Sequence, residues 1–183
     1  MILNSRLNLF QFGFTRKFIP KEISDKYKPY LNRLPGNLIE EPLDFINYTI
    51  QGLNLPGVGF DPVQQAQYPG RQILFRTSLP TMELFQKEMT ISFQLVDGYI
   101  NYWILLETLL YYYNFSTEEP YIDDQNINIL DAEGNLLVTV SIQKPIIKNI
   151  SDLSVNFATN VAEFKTFDLT LVYNQLDIRL FED

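Results

Sequence analysis

The sequence predicts a mainly β protein, an antiparallel barrel or sandwich with one flanking α-helix and long interaction loops. That class follows from three features. Residues 88 to 95 alternate cleanly, with Met89, Ile91, Phe93 and Leu95 on one face and Glu88, Thr90, Ser92 and Gln94 on the other, the period of a half-buried strand. Two apolar runs, 126 to 130 and 136 to 142, flank Asp131-Ala132-Glu133-Gly134-Asn135, a hairpin-turn signal. Phe167, Leu169, Leu171 and Tyr173 then alternate again. Short strands at this spacing, joined by turns, build sandwiches and barrels. At 183 residues the chain is read as a single domain, 1–183.

Taken in order, Leu7 to Phe14 reads as a strand with Phe10, Phe12 and Phe14 on one face. Leu43 to Leu55 reads as another, with Ile46, Tyr48 and Ile50 alternating. Between them lies a stretch broken by Pro20, Pro29, Pro35 and Gly36, and a second irregular stretch runs from Pro56 to about Gln86. Connections this long inside a compact domain are usually functional. Both carry large apolar residues that a solvated linker would not. Segments 16–42 and 56–86 are therefore expected to be intersubunit arms, with Tyr27, Tyr30, Leu31, Ile73 and Phe75 as candidate interface residues. One helix is expected from Tyr99 to Tyr112, with Asp97 available as its cap. It is apolar nearly all round, so it must be covered on most sides. Leu105, Leu106 and Leu109 are expected to face its own sheet, and Asn101, Glu107 and Thr108 to share a narrow polar stripe. Leu153, Val155 and Phe157 alternate as a further strand.

Hydrophobic residues at 46% and charged residues at 20% suit a packed core. Fourteen Lys and Arg against 22 Asp and Glu leave a net charge of -8, so bulk attraction to a nucleic-acid backbone is excluded. The absence of Cys removes disulfides, thiolate nucleophiles and cysteine metal sites, and the absence of His removes the usual proton shuttle and metal ligand. Absence of Cys also suits a reducing cytoplasm. The start of the chain lacks the pattern of a signal peptide. The most apolar run, Tyr99 to Tyr113, is broken by Asn101, Glu107 and Thr108 and falls short of the roughly 20 residues a spanning helix needs, so a soluble protein without a membrane partner is expected.

No catalytic, cofactor-binding or metal-binding residue is assigned. Gly57-Val58-Gly59 lacks the third glycine and following helix of a phosphate loop and reads as a turn. Asp123-Asp124 lacks the alternating ligands of a calcium loop and reads as a solvated turn. Tyr111-Tyr112-Tyr113 reads as core or interface. Charge is uneven: residues 16–33 hold six basic side chains against two acids, and 118–133 hold six acids and no base. These are either two solvated loops or opposite patches that meet across a repeated subunit contact.

The order of features carries a resemblance. A strand ends in Leu53-Asn54-Leu55-Pro56-Gly57, a long loop holds Tyr68-Pro69-Gly70-Arg71, and Met89-Thr90-Ile91-Ser92-Phe93-Gln94-Leu95 follows. Val96-Asp97-Gly98 leads into Tyr99-Ile100-Asn101-Tyr102 and the helix. A hairpin, Ser151-Asp152-Leu153-Ser154 and the closing Phe167-Tyr173 strand complete the succession. Over about residues 43 to 178 this resembles the tail-tube family of tailed bacteriophages, especially those with contractile tails. Two departures stand: the only Trp, Trp103, lies near the start of the helix rather than its end, and 17–42 has no counterpart.

The resemblance implies a tail-tube barrel or sandwich in a structural, non-enzymatic virion protein made in the host bacterial cytoplasm. It implies stacked six-fold rings, with DNA passing through the channel without specific binding, no cofactor, and tail sheath and neck or baseplate proteins as partners. The tube subunit is the first reading; the terminator or completion ring at the neck and the initiator ring at the baseplate are alternatives. In a closed ring the polar sides of the alternating strands would line the channel, nominating Glu88, Thr90, Ser92, Gln94, Asp168 and Thr170; an ordinary solvated outer face is the other reading of the same residues. From different classes come a carbohydrate-binding β-sandwich and a carboxylate enzyme. The aromatics follow core periodicity more than they cluster in loops, which speaks against sugar binding.

Overall fold

The structure, a computed structural model, describes residues 10–34, 36, 39–55, 63–68, 71–77, 88–114, 121–153 and 165–181, with 63–68 and 71–77 described at the backbone alone. Among these described residues, ten strands and three α-helices follow in the order β1 (Phe10–Phe12), α1 (Lys21–Leu31), α2 (Pro42–Tyr48), β2 (Ile50–Asn54), β3 (Val63–Tyr68), β4 (Arg71–Thr77), β5 (Glu88–Gln94), α3 (Ile100–Asn114), β6 (Gln125–Leu130), β7 (Leu136–Gln143), β8 (Ile146–Ile150), β9 (Thr166–Val172) and β10 (Gln175–Leu180). Sheet A has the order β1-β6-β7-β10 and sheet B the order β2-β5-β9-β8, while β3 and β4 form a separate ribbon. Every pairing among the described strands is antiparallel. The two sheets make an open sandwich, as expected of a β-rich tube-type fold.

The core is built by the alternation read from the sequence. Met89, Ile91 and Phe93 stand opposite Leu171, Leu169 and Phe167 across the β5–β9 ladder, and all six are buried. Sheet A contributes Ile127, Val140 and Ile142. A row of rings crosses the centre: Phe14 stacks on Phe18 at 3.8 Å, and Phe93 stacks on Phe167 at 5.2 Å. Each such side chain contributes about 1.5–3 kcal/mol by leaving water.

The first half departs from expectation. Residues 43–55 are not one strand: Pro42 opens α2 as its first residue, after Glu41 in extended conformation, and strand geometry begins only at Ile50. Proline's fixed φ suits that first position. Phe45 and Ile46 turn inward from the helix, whereas Tyr48 is exposed, so the apparent alternation has no common face. Segment 16–42 also carries a helix. Ile23, Tyr27 and Leu31 recur every fourth residue, and this stripe is the buried face of α1. Pro20 precedes the helix, and Pro29 sits in its last turns. The second stretch, expected to be irregular, contains the β3–β4 ribbon.

Helix α3 inverts part of its expected orientation. Its buried residues are Asn101, Ile104, Leu105 and Thr108, so two of the three polar-stripe residues face inward, while Glu107 stays partly exposed beside Lys26. Leu109 packs against the core from a partly buried position, while Leu106 is only half-buried. Asp97 does not cap α3. It opens a short 3-10 turn, Asp97–Tyr99, in which Gly98 and Tyr99 take positive φ of 73° and 57°. The tie to the sheet is Asn101, whose amide donates to the Gln94 carbonyl at 2.6 Å and accepts from the Val96 N–H at 3.3 Å. Thr108 donates to the Ile104 carbonyl one turn back at 2.7 Å. Leu153 lies in coil beyond β8, and Val155 and Phe157 lie outside the described residues.

Candidate functional site

Strand register gathers the polar residues nominated from the sequence onto one surface, the outer face of sheet B. Thr90 is opposite Thr170, and Ser92 is opposite Asp168. On the flanks, Asn54 aligns with Thr90 and Gly52 with Ser92, while Asn149 aligns with Thr170. One transverse row therefore reads Asn54, Thr90, Thr170, Asn149, and the next reads Gly52, Ser92, Asp168. Gln94 stands opposite Thr166 at one end of the ladder, and Glu88 opposite Val172 at the other. All six nominated residues share the face opposite the core.

The face is held by its own hydrogen bonds. The Ser92 hydroxyl donates to Asp168 Oδ1 at 2.6 Å, and the Asp168 N–H donates to Ser151 Oγ at 2.9 Å. Glu88 pairs with Lys148 Nζ at 2.5 Å, with both side chains about half exposed. Lys148 sits where the β8–β9 register shifts by one residue, an extra residue that re-aims a side chain. Sequence reasoning missed Lys148, Asn54 and Asn149, because a bulge and a strand neighbour leave no local periodic signal. With Glu88 neutralised, Asp168 is the acid on this face without a basic partner among the described ion pairs.

The candidate interface residues divide. Leu31 is fully buried and Tyr27 nearly so within their own chain, which corrects their assignment to an intersubunit surface: the protomer's own core covers them. Burial and the neighbouring Glu107 carboxylate both push the Tyr27 phenol well above its ordinary value. Glu107 also pairs with Lys26 at 2.5 Å. Tyr30, three residues on with its ring 6.2 Å from that of Tyr27, lies at the border of the same stripe and is exposed, and Arg33 lies 5.9 Å from its ring centre. Ile73 and Phe75 fall on β4, and their side chains lie outside the described residues.

An open cleft of about 870 Å³ separates the β1 and β2 edges, lined among others by Phe12, Gly13, Asn47, Ile50, Gly52 and Asn128. None of its described lining is titratable, so it offers no acid–base chemistry. Among the described residues no group of three or more acids could hold a metal, and no helix is long and apolar enough to cross a membrane.

The two sheets, the apolar helix packed on them and the polar outer face define a protein of the tail-tube fold. No protein-family model matches the chain, and no curated protein matches it. Among solved structures, a chain of the baseplate of the anti-feeding prophage, from a six-fold symmetrised cryo-EM structure, is similar over 98% of this chain and 97% of its own. Its TM-score is 0.56 at 10% identity. A tube-terminating cap protein of the same prophage is similar over 72% of this chain and 80% of its own, with TM-score 0.48 and 15% identity. The sheath-tube complex of an extracellular contractile injection system supplies another, over 72% and 81%, with TM-score 0.47 and 12% identity. What the baseplate chain shares with this one is the fold.

Proposed function

We propose that this chain is a structural, non-enzymatic ring subunit of a contractile tail, and that sheet B lines the channel of the ring. The observation that carries this reading is the two-sidedness of sheet B. One face is core and the other is mostly polar, and among the described residues no further strand pairs with the edge strands β2 or β8, the Ile147 carbonyl of β8 accepting from the Tyr113 hydroxyl at 3.2 Å. Copies joined edge to edge would close those edges, which otherwise invite unspecific pairing. The polar rows would then face inward. With Glu88 paired, the wall carries a small negative charge from Asp168, which gives phosphates nothing to bind and lets DNA slide.

Within this role we place the subunit at the baseplate end of the tube. The similarity to the prophage baseplate chain runs nearly end to end in both chains, so the N-terminal region belongs to what is shared. A label on this protein should mark one band at the baseplate; labels along the whole tail would instead make it the repeating tube subunit.

The lumen assignment is tested with Glu88→Lys combined with Asp168→Lys. Particles should assemble and eject DNA more slowly, most of all at low salt, where screening is weak. Unchanged ejection across the salt range, in particles shown to carry the variant, would reject these residues as channel-lining.

A further inference from the structure

Sheet A is covered on its inner side up to β7, and the cover stops at β10. The register sets Leu176 beside Ile142, Ile178 beside Val140 and Leu180 beside Val138, so these three share the core face. Yet Ile178 is 58% exposed and Leu180 73%, and Phe181 just beyond is exposed as well. Among the described residues no strand pairs with the outer edge of β10. The Phe181 N–H donates to the Leu137 carbonyl at 2.9 Å, so by antiparallel alternation the odd-numbered residues of β10 bond β7. The N–H and C=O of Ile178 and Leu180 therefore point away from the sheet. An edge strand with exposed apolar residues and outward-pointing backbone groups that no described strand pairs is a template for another strand.

The ribbon β3–β4 has the matching need. Among the described elements its strands pair chiefly with each other, and an isolated two-stranded ribbon is at best marginally stable in water. Its sequence, from Pro62 to Met82, holds Arg71 and Arg76 and no acid, with Ile73 and Phe75 two apart on β4. The β10 edge ends beside the β6–β7 turn, which carries Asp131 and Glu133. A cationic apolar ribbon thus complements an apolar edge bordered by carboxylates.

We propose that the free edge of β10 is a strand-acceptor site, and that its occupant is the β3–β4 ribbon of a second copy. The contact extends sheet A to six strands and covers Ile178 and Leu180. It deepens the ring reading by naming a contact between copies, and it rests on that reading only in supposing that copies assemble.

Hydrogen exchange and cross-linking on the full chain test it. In assembled protein the amides of Ile178 and Leu180 should exchange at least ten-fold more slowly than in dilute monomer, while the Phe181 amide, already bonded to Leu137, serves as the internal control. The chain lacks cysteine, so a mixture of Leu180→Cys and Phe75→Cys proteins can form a heterodimeric disulfide only between chains. That product should exceed by at least ten-fold the product from Tyr48→Cys mixed with Phe75→Cys. Assembled particles whose Ile178 and Leu180 amides exchange as in the monomer would overturn the acceptor site and leave the ring reading standing. Protection already present in the monomer would mean that the chain's own ribbon or another segment of it covers the edge, and would overturn the second-copy occupant. Protection on assembly without the cross-link would overturn the ribbon as occupant. A chain that cross-links but forms no ring keeps the contact and loses the ring reading, and one that does neither loses both.

Discussion

The two four-stranded sheets are built from similar residues but used differently. In sheet B the inward positions of the central strands β5 and β9 are closed off from water, and the outward positions are polar throughout Thr90, Ser92, Thr166, Asp168 and Thr170. In sheet A the same alternation buries Ile127, Val140 and Ile142, then leaves Ile178 and Leu180 open at the edge. Sheet B has spent its apolar face on the protomer. Sheet A leaves part of its apolar face exposed on β10, the kind of surface on which the proposed contact between copies rests.

The contrast is sharpest in stability. Phe93→Ala removes a fully buried ring stacked between Phe14 and Phe167 and should cost about 3–5 kcal/mol, read from the shift of a urea midpoint. Leu180→Ala on monomeric protein should stay within about 0.5 kcal/mol and act on assembly instead. Similar costs at the two positions would erase the distinction between the sheets.

The next effect in size belongs to Asn101, which bonds both the Gln94 carbonyl and the Val96 N–H from a fully buried position. Asn101→Ala leaves those groups without their partner and should cost about 1–3 kcal/mol, with Asn101→Asp failing to restore the bond donated to Gln94. Leu106→Ala, on the half-buried side of the same helix, should cost less than Asn101→Ala in the same titration. The reverse order would turn the helix over.

This inversion explains where sequence reading succeeded and where it stopped. Strands β5, β6, β7 and β9 were legible because each has one wet face and one dry face, so period 2 is written in the residues themselves. Helix α3 was legible as a helix but not in its orientation: with apolar side chains all round, two polar residues look like a solvent stripe. They are instead the points where the helix is tied to the sheet and to its own preceding turn. Segment 43–55 misled because Ile46, Tyr48 and Ile50 alternate by accident across a helix end, where Pro42 was the better signal. In 16–42 four-residue spacing of Ile23, Tyr27 and Leu31 was present but masked by Pro20, Pro29 and Pro35. The polar face of sheet B was legible on β5 and β9. Its flanks, Asn54 and Asn149, became visible only through pairing, which no local pattern encodes.

The smallest expected effect is a pH dependence on the helical side. Tyr112 donates toward the carbonyls of Lys17 and Phe18 at 3.1 Å each, and burial, with the Asp123 charge adding to it, pushes its phenol up to about 12. An unfolded tyrosine titrates near 10. The folded state therefore holds this proton more tightly, and its contribution is fully present below pH 10 and lost as pH rises toward 12. Urea midpoints should fall across that window, and Tyr112→Phe should flatten the slope in part, because Tyr27 is raised as well. An unaltered slope in the variant would remove Tyr112 from the linkage.

The claim that sheet B lines the channel of a ring is tested most directly by cryo-electron microscopy of the assembled protein. The account requires closed rings in which β2 of one copy lies beside β8 of the next and Thr90, Ser92, Asp168 and Thr170 point to the axis. Rings that present this face outward, or protein that stays monomeric at every concentration tried, would contradict it.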